Sequence, residues 1–166
     1  ELLSSREVTK FALKDNWLNY IKEKYKFEPK LIDITAWYTF PSNNPKEELS
    51  EENTSYDAQI WHRDVDRLTD IKILTYLSDV DDFKDGPFEI INETHSFSLT
   101  KLKYLNKNNF RVLDKNLPSK MKSKKISFLG KKGTNFIVNT RCLHRGTKVK
   151  NNFRLVLELY FSNSFF

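Results

Sequence analysis

Two of the three histidines in this 166-residue chain sit where a metal ion could be held. His62 and Asp64 lie two residues apart in Gln59-Ile60-Trp61-His62-Arg63-Asp64. On an extended strand, residues i and i+2 face the same side about 6.6 Å apart, so an imidazole and a carboxylate can lean onto one cation. His144, in Arg141-Cys142-Leu143-His144-Arg145-Gly146, is the candidate third ligand. Two histidines and one carboxylate form a facial set that leaves coordination positions open, the usual holder of non-haem Fe(II) in oxygenases. His-x-Asp alone is a weak signal, because such triplets occur by chance. The order of features strengthens it: His-x-Asp at a strand end, a long gap, a second histidine after an apolar strand, then Arg154 opening the last strand.

The elements that must position these residues follow from hydrophobic periodicity. Ser4 to Tyr25 reads as one amphipathic helix, with Ser4 and Glu7 as a capping box and Val8, Phe11, Leu18, Ile21 and Tyr25 near one face. Strands are expected at Leu31–Phe40, Tyr56–Asp64, Ile71–Leu77, Phe88–Asn92, Ile126–Leu129 and Thr134–Asn139, at a short segment opening on Leu143-His144, and at Arg154–Ser162. The last strand divides Leu155, Leu157, Leu159 and Phe161 from Arg154, Val156, Glu158 and Tyr160. The acidic stretch from Pro41 to Ser55 reads as a loop. About eight short strands after one helix argue for a closed or sandwiched β architecture. A jelly roll of two facing sheets would bring the second and seventh strands together at one open end.

Composition bounds the class. The length suits one domain with a sizeable core, and 13 Phe, 7 Tyr and 3 Trp suit a β-rich fold. No apolar run approaches the ~20 residues of a membrane span. The chain opens on Glu1 rather than Met, as a piece of a longer protein would, and shows no signal-peptide pattern. Cys142 is the only cysteine, which excludes a disulfide within the chain and fits a reducing, cytoplasmic setting. The net charge of +6 fits a solvated Lys-rich surface better than a nucleic-acid interface, because the charge is spread along the chain. A local excess lies between Lys101 and Lys132, without the interleaved aromatics of a stacking surface.

Taken together, Trp61-His62-Arg63-Asp64, Gly86-Pro87-Phe88-Glu89-Ile90, His95-Ser96, Leu143-His144-Arg145-Gly146 and Arg154 resemble the phytanoyl-CoA dioxygenase family. The resemblance implies a mainly β, double-stranded β-helix (jelly roll, cupin-like) domain with the N-terminal helix packed outside. It would be a single oxygenase domain over residues 1–166, with a helical segment at 1–29 and a β core at 31–163. It implies Fe(II) on His62, Asp64 and His144, with 2-oxoglutarate as co-substrate and O2 as oxidant. Arg154 would pair with the distal carboxylate of 2-oxoglutarate, which a guanidinium fork matches better than a lysine does. Thr147 could add a hydroxyl to that carboxylate, and Gln59 could reach the co-substrate or substrate. The implied reaction is hydroxylation of an unactivated C–H bond in a small organic molecule, anionic or neutral, with release of succinate and CO2. Asp64 favours hydroxylation over halogenation, since halogenating relatives replace this carboxylate with a small residue. The Asn92-Glu93-Thr94-His95 stretch departs from the family pattern, and His95 reads as structural. Arg63, Arg141 and Arg145 flank the ligands and either meet an anionic substrate or face solvent. The rival readings are a nucleic-acid-directed oxygenase with the same iron site and a non-catalytic β-sandwich binding module.

Overall fold

The structure, a computed structural model, describes residues 5–41, 57–64, 69, 71–95 and 111–163. The expected N-terminal helix is two helices, α1 (Arg6–Ala12) and α2 (Asp15–Tyr25). The break comes where the Leu13 amide closes α1 on the Thr9 carbonyl and Lys14 turns extended. It lets two short apolar faces, Phe11 on one and Trp17, Leu18 and Ile21 on the other, reach the same sheet. Ser4, the expected capping residue, lies outside the described residues, as does the loop from 42 to 55.

Two antiparallel sheets follow. The larger has the order β1–β7–β2–β5, from β1 (Lys30–Thr39), β2 (Ile71–Tyr76), β5 (Asn135–Asn139) and β7 (Arg154–Ser162). The smaller has the order β4–β3–β6, from β3 (Phe88–Ile91), β4 (Lys125–Phe128) and β6 (His144–Gly146). The strand expected at 56–64 is different: Asp57–Gln59 form a 3-10 turn, and only Trp61 and His62 pair, as isolated bridges to Val112 and His144. Asp-Ala-Gln has little β preference, so the turn wins until Ile60-Trp61.

Period-two alternation decides what each face of the larger sheet meets. Ile34, Ile71, Ile73, Leu159 and Phe161 pack against the helices. Leu74, Tyr76, Phe136, Val138 and Val156 face inward, toward Ile90 and Phe88 of the smaller sheet. The far side of the smaller sheet is covered by Val112, Leu117 and Met121, which pack with Trp61, Ile91 and Leu143. Each fully buried aliphatic side chain contributes about 1.5–3 kcal/mol. The inner face of β7 begins with Arg154 and continues through Val156 to Glu158, so polar groups are carried into the space between the sheets. No described helix is long and apolar enough to cross a membrane.

Candidate metal centre

His62 and His144 are joined through their backbones. The His62 amide donates to the His144 carbonyl at 3.0 Å, and the return bond is 2.9 Å. This pairing adds His62 to the edge of β6 and sets the two rings 4.3 Å apart. The Asp64 amide donates to the Thr140 carbonyl at 3.0 Å, which keeps the His62–Asp64 segment against the end of β5. Thus the same-face reading of His-x-Asp holds although no regular strand is formed.

Each imidazole is oriented by the carbonyl two residues before it. His62 Nδ1 lies 2.8 Å from Ile60 O, and His144 Nδ1 lies 2.9 Å from Cys142 O. A carbonyl only accepts, so each Nδ1 carries the proton and each Nε2 keeps a free lone pair. Burial lowers the pKa of His62, and it takes His144 down to about 4, with His62 adding to the effect. Both rings are therefore neutral near pH 7, the form that binds metal. His144 Nε2 is 3.7 Å from Asp64 Oδ1, and one ligand atom from each of the three residues falls within 4.8 Å of the others. Burial opposes the charge on Asp64, but His144 and Lys72 together hold its pKa below the ordinary carboxylate value. Two neutral imidazoles and one carboxylate fit a divalent cation of the Fe(II) type.

The three groups open onto a cavity of about 190 Å³. Trp37, Leu74, Phe88, Phe136 and Val156 give it apolar walls, with the Phe88 ring stacked 5.5 Å from His144. Arg154 also lines it and is only 6% exposed. Its Nη1 donates to the Gly86 and Thr147 carbonyls, and its Nη2 donates to Thr39 Oγ1 at 3.2 Å. Its Nε is buried with no partner, and among the described residues no carboxylate pairs with it. A buried guanidinium held only by neutral acceptors, with its Nε–H unfilled, fits an incoming carboxylate. Gly146 makes room for it: a Cβ there would meet Arg154 Nη2 at 2.7 Å.

The structure thus brings His62, Asp64, His144 and Arg154 to one cavity. Thr147 and Gln59 do not line it. The Thr147 hydroxyl donates to Pro87 O at 2.9 Å, and it is the Thr147 carbonyl that meets Arg154. Gln59 sits in the 3-10 turn with Oε1 buried and unpartnered. Arg63 is buried and donates to the Arg141 and His95 carbonyls, while Arg145 binds Glu89 and Asp114. Neither lines the cavity. His95 stands outside the ligand group, its Nδ1 3.7 Å from Cys142 Sγ.

Two lining residues were missed by sequence reasoning, Lys72 and Glu158. Lys72 Nζ lies 2.9 Å from Asp64 Oδ2 and 3.1 Å from Glu158 Oε1. Burial works against the Lys72 charge, yet Glu158 and Asp64 outweigh it and raise its pKa. Burial raises that of Glu158 despite Lys72. The available signal was Lys72 itself, the one charge within an otherwise apolar strand, together with Glu158 on the same face as Arg154.

No protein-family model matches the sequence, and no curated protein does. Solved structures share the architecture. HygX from Streptomyces hygroscopicus, with nickel and 2-oxoglutarate bound, superimposes with a TM-score of 0.67 and 18% identity, over 99% of this chain and 68% of that one. The non-heme alpha ketoglutarate dependent epimerase SnoN from nogalamycin biosynthesis gives 0.67 and 13%, over 97% of this chain and 59% of that one. EctD from S. alaskensis with bound Fe gives 0.66 and 13%, over 97% and 54%. The likeness shows the fold: a mainly β, double-stranded β-helix with helices packed outside.

Proposed function

We propose that this chain is an Fe(II)- and 2-oxoglutarate-dependent dioxygenase of the phytanoyl-CoA dioxygenase-like kind, acting on a small organic substrate and forming one oxygenase domain over residues 1–166. The observation that carries the reading is the meeting of His62, Asp64 and His144 beside a buried Arg154 that pairs with no carboxylate among the described residues. The neighbours in fold, with iron, or nickel and 2-oxoglutarate, in their structures, support it.

His62 Nε2, His144 Nε2 and one oxygen of Asp64 would hold the metal. Bound Fe(II), with 2-oxoglutarate and O2, supplies the oxidising chemistry: the oxoacid becomes succinate and CO2 as an unactivated C–H bond is hydroxylated. The Ile60 and Cys142 carbonyls keep both rings in the ligating tautomer. Arg154 orients the oxoacid through its distal carboxylate, and Gly146 leaves the guanidinium its place. Trp37, Phe88 and Phe136 give the cavity apolar walls that limit the entry of water. A carboxylate at Asp64 rather than a small residue supports hydroxylation. The single buried Cys142 supports a reducing, cytoplasmic setting.

The test is anaerobic addition of Fe(II) and 2-oxoglutarate to folded protein. The expected result is a visible metal-to-oxoacid charge-transfer band, absent in His62→Ala, and 2-oxoglutarate-dependent succinate release on admitting oxygen. A folded wild-type protein without the band rules the reading out.

A further inference from the structure

A facial site asks one oxygen of its carboxylate. If both oxygens of Asp64 bound the metal, one position reserved for co-substrate would be lost. Asp64 is held against that outcome. Its Oδ1 points toward His144 Nε2 at 3.7 Å, while its Oδ2 lies 2.9 Å from Lys72 Nζ.

Lys72 reaches Asp64 from β2, the neighbour of β5, at whose end the Asp64 amide is held, and it is pinned. Glu158 Oε1 lies 3.1 Å from its ammonium, and the Tyr160 ring centroid lies 5.5 Å away. The register pairs Lys72 with Tyr160 and Leu74 with Glu158, so Lys72 and Glu158 are diagonal neighbours on the inner face. The two side chains are only 19% and 16% exposed, so the pair is shielded from the screening that weakens surface ion pairs. One ammonium thus bridges a candidate metal ligand and a carboxylate outside the candidate ligand group.

We infer that Lys72 is a positioning residue: it occupies Asp64 Oδ2 so that Asp64 offers the metal a single oxygen, and Glu158 anchors Lys72 in that place. This rests on the metal-site reading above. The consequence falls on the open positions, and therefore on 2-oxoglutarate more than on the metal itself. Partners behind a ligand typically change affinity or activity by 10–100-fold.

The experiment uses Co(II) as an oxygen-stable probe in the full chain. Metal stoichiometry and the visible Co(II) spectrum are measured first, and 2-oxoglutarate is then titrated by calorimetry. Lys72→Met is expected to keep one Co(II) per chain, to alter the Co(II) spectrum, and to weaken 2-oxoglutarate binding roughly 10-fold. Lys72→Arg, which keeps a cation beside Oδ2, recovers most of that loss. Glu158→Gln separates positioning from simple charge. Removing a negative charge should by Coulomb attraction tighten binding of a dianion, whereas loss of the anchor weakens it. Unchanged binding in both Lys72→Met and Glu158→Gln, or tighter binding in Glu158→Gln, overturns the inference. Should Lys72→Met fail to fold, Glu158→Gln and Lys72→Arg decide the matter. A folded wild type that takes up no Co(II) overturns the metal reading, and this inference with it, before any variant is measured.

Discussion

Arg154 is a buried guanidinium between neutral acceptors, and its neighbour Gly146 is a lever on it. Losing one member of a buried charge-assisted pair costs about 2–5 kcal/mol. Arg154→Ala should therefore raise the Kd for 2-oxoglutarate at least ~30-fold at unchanged Co(II) stoichiometry, the lower end of that range. Arg154→Lys should recover little, because an ammonium lacks the planar fork. Gly146→Ala should also weaken 2-oxoglutarate while leaving Co(II) uptake intact. The new Cβ would sit 2.7 Å from Nη2, and the guanidinium must shift to admit it. Titration of 2-oxoglutarate into the Co(II) protein checks all three.

The ligand-bearing segments are tied together behind the site by elements of the smaller sheet. Glu89 on β3 is directly opposite Arg145 on β6 and Ser127 on β4. It accepts from Arg145 at 2.8 Å, Lys125 at 2.9 Å and Ser127 at 2.7 Å, and is 2% exposed. Arg145 continues to Asp114, lies 4.4 Å over the Trp61 ring, and so spans from the residue after His144 to the residue before His62. Asp114 completes the loop by accepting from Trp61 Nε1 at 3.0 Å. The arginine that could have met an anionic substrate is instead structural cement. Burial works against the Glu89 charge, but its donors outweigh that and depress its pKa. A depressed folded pKa contributes stability that is complete above the unfolded value near 4.5 and is lost as pH falls through the lower folded value. Thermal melts should fall on acidification through that window, and Glu89→Gln should flatten that part of the profile. Glu89→Ala should destabilise by roughly 1–3 kcal/mol in urea unfolding, because Nε and Nη2 of Arg145 lose their acceptor while Asp114 still holds Nη1.

Across the whole molecule, the larger sheet separates two jobs. One face binds the helices through Ile73, Leu159 and Phe161; the other lines the cavity. Leu159→Ala should cost about 2–5 kcal/mol in denaturant unfolding, yet the folded variant should still take up one Co(II), since Leu159 faces away from the site. An equal loss of metal binding in folded protein would show that the two faces are not independent. Charge is handled at this scale too. Lys124 pairs with Glu93, Lys125 with Glu89, and Lys131 with Asp79 and Asp81. The basic stretch is therefore partly neutralised where it is described, while Lys101, Lys103 and Lys107 lie outside the described residues.

What could be read in the sequence is what local chemistry dictates. Alternation placed Ile71–Tyr76 and Arg154–Ser162 nearly to the residue, because a period of two needs only near neighbours. The His62–Asp64 spacing told that the two side chains share a side, and Arg154 was marked by its place at the head of a strand. The break between α1 and α2, the turn at Asp57–Gln59, the hydroxyl of Thr147 bound to Pro87, and the Asp64–Lys72–Glu158 bridge were decided only in three dimensions. Each depends on which strand lies beside which and in what register, and register is a property of pairs of segments that no single segment contains.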